Sequence, residues 1–164
     1  MKTYLSYLWY VIVHRYLVFM ASIELGVPWQ GFVHDLSKFS PLEFWAYARY
    51  FKGPYGALYK GTCPVILYRQ KELKQAFDVA WKHHQKHNPH HWEHWIIELA
   101  IGENKVSLMP EKYVREMVAD WMAMSRARGK SDCSEWYEGN KEFIKLHPET
   151  RKCVETLIFL NRSF

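Results

Sequence analysis

Trp9-Tyr10-Val11-Ile12-Val13-His14-Arg15-Tyr16-Leu17-Val18-Phe19-Met20 is the stretch on which the class of this chain turns. It lies inside a largely apolar run, Met1 to Val27, that reads either as a membrane segment or as the buried helix of a globular protein. His14 and Arg15 in its middle and Glu24 near its end are each costly at a bilayer centre. No persuasive small-residue cleavage site of a secretory signal follows. The run is therefore read as a helix of about 20 residues, buried on most sides, with Leu5, Leu8, Trp9, Ile12, Tyr16, Phe19 and Ile23 on one broad face. His14 falls on a different side, near Tyr7, Val18 and Leu25. An imidazole there lies inside the protein, satisfied by a carbonyl or carboxylate or else serving as a ligand.

Outward from this helix, Gly26-Val27-Pro28 turns the chain, and a short second helix, about Trp29 to His34, delivers the adjacent pair His34-Asp35. Such a pair closes on one metal ion from two directions if the backbone turns there. It equally describes a helix-terminal His followed by an Asp that caps the next turn. Ser40-Pro41-Leu42-Glu43 starts a third helix, with Ser as N-cap, Pro in the first turn and Glu completing a capping box. Residues 52–64 carry Gly and Pro without a helical period and read as a loop, a connector or a lid. A long amphipathic helix, about Val65 to His87, then leads into a cluster of His83, His84, His87, His90, His91 and His94. Such a concentration points to metal binding, or to a wet, partly protonated patch shared with Lys82 and Lys86.

Met109-Pro110 opens a helix whose apolar stripe is Tyr113, Val114, Met117, Trp121 and Met124. Asp120 lies at the flank of that stripe, where it is coordinated, ion-paired or simply exposed. Two short helices follow, about Glu135 to Leu146 and Glu149 to Leu160, with Phe143, Ile144, Val154, Leu157, Ile158 and Leu160 completing the core. The sequence thus predicts a single all-α domain, a bundle of about seven helices, and no strand.

A chain of 164 residues with 8 Trp, 11 Tyr and 9 Phe can bury a core unaided and is not disordered. Its net charge of +5 suits an anionic partner, and it suits plain solubility as well. Cys63, Cys133 and Cys153 form no C-x-x-C and read as free thiols of a reducing cytosol. No helix-turn-helix, zinc-finger or Walker motif supports sequence-specific DNA binding or NTP-driven work. Neither a membrane nor a fixed oligomeric state is indicated; a dimer stays open.

The order His14, His34-Asp35, histidine cluster, Asp120 resembles the HD-domain superfamily of metal-dependent phosphohydrolases, and Lys38 completes its H-D-x-x-K pattern. More closely, H-D-L-S-K-F-S-P, H-H-Q-K-H-N-P-H-H-W and M-P-x-x-Y-V-R-E-M-V-A-D-W resemble a family of small uncharacterised HD-like proteins of bacteria and phages. The resemblance covers roughly His14 to Trp121 and implies an all-helical fold around a buried metal centre. By that analogy His14, His34, Asp35 and Asp120 hold a first metal, and two intervening histidines from His83, His84 and His91 hold a second. These candidates lie only a few residues apart, where two-metal relatives separate them by a helix, so one or two ions remain open.

The mixed N/O donor set suits Mn, Fe, Co, Ni or Zn. The expected function is hydrolysis of a nucleotide or similar small phosphoester by a metal-activated water. Lys38 would stabilise the phosphoryl charge, and His83 or His84 would act as general acid or as a further ligand. Arg49 and Arg115 are weaker candidates for phosphate contact. Two alternatives stand beside this: a two-iron oxygenase of the HD type, and a non-catalytic metal-containing binding protein, for example a host-directed phage factor.

Overall fold

The computed structural model describes residues 1–57, 60, 63–99, 102 and 104–161. Its helices are α1 Lys2–Glu24, α2 Pro28–Val33, α3 Pro41–Lys52, α4 Pro64–His87, α5 Glu111–Arg126, α6 Ser134–Asn140 and α7 Pro148–Asn161. Short 3-10 turns lie at Leu36–Phe39 and Trp92–Trp95. The class is all-α, as the periodicity predicts. Part of the loop expected over residues 52–64 lies outside the described residues.

Sequence periodicity missed one element, a two-stranded antiparallel sheet of β1 Ile96–Glu98 and β2 Asn104–Val106. Ile96 pairs with Val106 and Glu98 with Asn104. Three residues per strand are too few to show an alternation, and the hairpin is extended by Ser107 N–H donating to the Trp95 carbonyl at 2.9 Å.

The chain divides into two compact units, each drawn from separated segments. The first is 1–13 with 35–87, the second 14–34 with 88–164. In the first, Tyr7 and Val11 of α1 pack with Tyr47 and Ala48 of α3 and Ala80 of α4. Aromatic rings fill around them: Tyr7 meets Phe44 edge-on at 5.4 Å, and Tyr50 stacks on Phe77 at 4.3 Å. The Tyr47 hydroxyl donates to the Ala80 carbonyl at 3.3 Å, which satisfies a buried phenol.

In the second unit, Val18 and Ala21 of α1 and Leu25 in the turn after it pack with Val114, Met117, Val118 and Met122 of α5, Tyr137 of α6, and Val154, Leu157 and Ile158 of α7. Met109 N–H donates to the buried Thr150 hydroxyl at 3.1 Å, tying the start of α5 to α7. Gly26 ends α1 in the left-handed region (φ 73°), and Val27 N–H reaches back to the Ser22 carbonyl at 2.8 Å, a Schellman-type stop. Pro28 starts α2 at once, and Gly31 lies so close to α1 that a Cβ there would sit 2.6 Å from Ser22 Cβ. Arg15 donates to the Phe32 carbonyl at 2.7 Å, fixing the end of α2 against α1.

Three expectations are corrected. The buried stripe of α1 is Tyr7, Val11, His14, Val18 and Ala21, continued by Leu25 just after it, whereas Leu5, Trp9, Ile12, Tyr16 and Ile23 are exposed, Trp9 by 67 %. Both stripes have helical spacing on an all-round apolar helix, and the one richer in small residues permits the closer approach of neighbours. α6 stops at Asn140 instead of running to Leu146, and Phe143, placed after it, is 77 % exposed. Leu160 in the last turn of α7 is also exposed, while Ile144, Val154, Leu157 and Ile158 are core residues as expected.

By length and composition α1 would pass as a membrane span, with a third of its most apolar window buried. The same reading fits the core helix of a soluble protein.

Candidate metal centre

Within the second unit, three predicted ligands meet. His14 comes from the buried stripe of α1, His34 from the position that ends α2, and Asp120 from α5. His14 Nε2 lies 3.3 Å from Asp120 Oδ1 and 3.4 Å from His34 Nε2, and His34 Nε2 lies 4.0 Å from the same Asp120 oxygen. Both imidazoles are buried, while the Asp120 side chain keeps 18 % of its surface exposed.

Glu116, which the sequence reading passed over, fixes the orientation of His34. It lies one turn before Asp120 on α5, and its Oε1 is 3.0 Å from His34 Nδ1 and 3.0 Å from His90 Nδ1. A carboxylate only accepts, so the network assigns a hydrogen to both Nδ1 atoms. A neutral His34 then turns its Nε2 lone pair toward His14 and Asp120. Burial of the Glu116 carboxyl would raise its pKa, but the hydrogen bonds from His34 and His90 outweigh this and hold it below the usual carboxylate range.

The donor atoms fit a divalent ion. Ligands about 2.1 Å from one metal at tetrahedral or octahedral angles stand about 3.0–3.4 Å apart, so two of the three separations already match. The third needs a small movement of Asp120. Two imidazoles and one carboxylate, with His34 backed by the Glu116 carboxylate on its other nitrogen, make a donor set that could hold a metal, with a supporting shell. The neighbouring group of His34, His90 and Glu116 is also close enough to hold an ion. There, however, both imidazoles meet the carboxylate through hydrogen-bonded Nδ1 atoms, which suits an orienting role.

The first unit contains a second polar system. Glu43 at the start of α3 is fully buried, and Ser37 Oγ donates to it at 3.0 Å. His83 Nδ1 and His84 Nδ1 of α4 reach its two oxygens at 2.7 and 2.8 Å. His84 Nε2 lies 3.2 Å from Asp35 Oδ1, and the other Asp35 oxygen pairs with Lys38. Asp35 itself adopts the left-handed conformation (φ 56°), one that Asp tolerates better than most side chains.

His84 therefore bridges two carboxylates. Burial would lower its pKa, but the hydrogen bonds to Asp35 and Glu43 prevail and hold it above the ordinary histidine value. Burial likewise works against ionised Glu43, and the bonds from His84 and His83 overcome it and depress its pKa.

The predicted residues are thus sorted by unit. His14, His34 and Asp120 converge in one, and Asp35, Lys38, His83 and His84 are joined through Glu43 and Ser37 in the other. His91 belongs to the second unit, its ring 4.3 Å from that of His90 and its Nδ1 3.9 Å from Glu93 Oε2, and is not one of the three converging donors. Arg115 is structural: it pairs with Glu111 and donates to the Leu25 carbonyl at 3.0 Å.

Glu43 carried a misleading signal. Its backbone N–H is received by Ser40 Oγ at 3.4 Å, as a capping box requires, yet its carboxylate is engaged by Ser37, His83 and His84. Glu116 had a usable signal in its i, i+4 spacing from Asp120.

The family model described as "Family of unknown function (DUF5662)" matches residues 3–159. No curated protein and no solved structure matches the chain.

Proposed function

The chain belongs to the family DUF5662, whose function is unknown, and we propose, from the geometry of its buried donors and the resemblance of its motifs, that it is a metal-dependent phosphohydrolase of HD type acting on a nucleotide or similar small phosphoester. The observation that carries the reading is the convergence of His14 Nε2, His34 Nε2 and Asp120 Oδ1 with Glu116 behind His34. These three residues would hold the ion. A divalent ion bound there supplies Lewis-acid charge neutralisation and lowers the pKa of water.

What the chain's own groups do follows from their surroundings. Glu116 holds the His34 ring in one tautomer and one direction, so its ligand atom need not reorient on binding. The Asp120 side chain keeps 18 % of its surface exposed, while its donor oxygen Oδ1 is itself buried beside the two imidazoles. The basic excess of the chain favours an anionic substrate. The role that the resemblance lends to Lys38 is tested by the same assay as the ligands, and those of Asp35, His83 and His84 by adding Asp35→Asn, His83→Gln and His84→Gln to it.

That assay is phosphate release from a panel of phosphoesters and nucleotides. It uses protein loaded in turn with Mn, Fe, Co, Ni and Zn, together with the His34→Ala, Asp120→Asn and Lys38→Met variants. The reading expects release by the wild type and loss with either ligand variant. A second reading is favoured by one observation: two histidines and one carboxylate are also the ligand set of non-haem iron oxygenases. Bound iron with visible absorption, oxygen consumption and no phosphate release on any substrate would replace hydrolysis by oxidation.

A further inference from the structure

The first unit has a cavity of about 630 Å³ lined by none of the residues of the metal centre or of the Glu43 system, and by Arg49, one of the two arginines considered for phosphate contact. It is walled by the N-terminal turn of α1, the C-terminal end of α3 with the turn that follows, and the first turns of α4. Its chemistry is set by Tyr4, Arg49, Tyr55, Tyr68, Arg69 and Glu72. The volume is that of a small-molecule site, for which about 300–1,000 Å³ is usual. On α4, His84 lies eleven residues beyond Leu73 of the cavity wall, about 16 Å along the helix axis, so the Glu43 and His84 system is a separate feature.

The walls are formed by specific local structure. The turn after α3 folds back tightly, with Ala57 N–H donating to the Tyr50 carbonyl at 2.8 Å and Gly56 N–H to that of Gly53 at 3.2 Å. A Cβ on Gly53 would sit 2.3 Å from the Arg49 carbonyl oxygen, and one on Gly56 2.0 Å from that of Tyr50. Glycine at both places is what lets Tyr55 return to the cavity. Trp45 packs edge-on against Tyr4 at 4.6 Å and steadies that ring.

Two guanidinium groups line the cavity. Arg49 Nε donates to the Tyr4 hydroxyl at 3.3 Å, and the Arg69 guanidinium lies over the Tyr55 ring at 5.8 Å. Among the described residues neither guanidinium is ion-paired with a carboxylate. Both are held in place by aromatic groups that leave their charge available, an arrangement suited to receiving an anion. Three tyrosine rings around them offer faces for a flat apolar group. Glu72, one turn after Arg69, is an acceptor for hydroxyl or amino groups.

We propose that this cavity is a binding site for an aromatic phosphate of nucleoside monophosphate size, with Arg49 and Arg69 on the phosphate and the tyrosines against the base. Glu72 serves the sugar hydroxyls or the amino group of the base. The site is independent of the metal centre, so its test is run where metal chemistry cannot contribute.

The experiment is calorimetric titration of the full chain in EDTA with AMP, adenosine and inorganic phosphate, repeated on His34→Ala. Saturable one-to-one binding of AMP is expected, unchanged in His34→Ala, with adenosine and inorganic phosphate each at least about tenfold weaker. Arg49→Gln and Arg69→Gln should each weaken AMP by about tenfold or more, and Tyr68→Ala should weaken AMP and adenosine alike. Arg69 and Tyr68 are exposed, so those two variants carry the test if Arg49→Gln does not fold. The proposal is overturned by absence of saturable AMP binding, by binding that survives both arginine substitutions, by inorganic phosphate binding as tightly as AMP, or by loss confined to His34→Ala.

Discussion

Glu116→Gln keeps the shape of the side chain and takes away the charge that receives His34 and His90. In the wild type one oxygen accepts both Nδ1–H groups at 3.0 Å. A hydrogen bond to a charged group contributes about 1.5–3 kcal/mol and one to a neutral group about 0.5–1.5 kcal/mol, so two weakened bonds amount to a loss of about 2–3 kcal/mol. For a chain of this size that lowers the unfolding midpoint by roughly 5–10 °C. Loss of an orienting carboxylate behind a ligand histidine also weakens metal affinity by about 10–100-fold.

The two effects are separated by measuring thermal or urea unfolding in EDTA and metal affinity by competition with a chromophoric chelator. A lower midpoint together with weaker metal binding is the expected pair. Metal affinity equal to the wild type, in a variant that is destabilised as calculated, would refute the argument. Glu116 would then be a buried structural acceptor, and the direction given to His34 Nε2 would have no bearing on metal binding.

Further outcomes follow from the packing and the charges. Val18→Ala, in the core of the second unit, should cost about 1–3 kcal/mol, whereas the exposed Trp9→Ala should stay within about 0.5 kcal/mol of the wild type; urea unfolding of both checks which stripe of α1 is buried. Gly31→Ala should destabilise by about 1–3 kcal/mol through its collision with Ser22, and the double variant with Ser22→Gly should recover most of that loss. Glu24 is paired with Arg126 through two contacts of 2.7 Å, which hold its carboxyl below the usual range. Because its folded pKa is depressed, the pair stabilises above the unfolded value of about 4.3 and loses that contribution as pH falls through the folded value. Glu24 is exposed and Arg126 about one third so, so Glu24→Gln should cost less than about 1 kcal/mol at neutral pH, a difference that closes on acidification and in high salt; a cost that persists unchanged at pH 2 contradicts the assignment.

How much could be read from the chain varied with the range of the interaction. Ser40-Pro41 and Gly26-Pro28 marked helix limits correctly because capping and turn chemistry are local. The candidate donors His14, His34 and Asp120 were legible as residue types in an order. The orientation of α1 was not, since an all-round apolar helix offers more than one stripe of the right period, and only the partners decide which is covered.

Glu43 and its histidines lie forty residues apart, a distance over which no spacing rule operates, and the local capping pattern gave its carboxylate a plausible but different task. Glu116 was overlooked because an Asp was sought on α5, although the supporting acid stood one turn away. The hairpin of β1 and β2 was too short to print an alternation.

The central claim is that His14, His34 and Asp120 hold a divalent ion, and the most direct measurement is elemental analysis of full-length protein prepared without a histidine tag. Wild type, His34→Ala and Asp120→Asn are compared as purified and after reconstitution. The account predicts on the order of one equivalent of Mn, Fe, Co, Ni or Zn per chain at this centre, lost in both variants while their helical content stays that of the wild type. Protein that takes up no metal even on reconstitution, or well-folded variants that retain the wild-type amount, would contradict it.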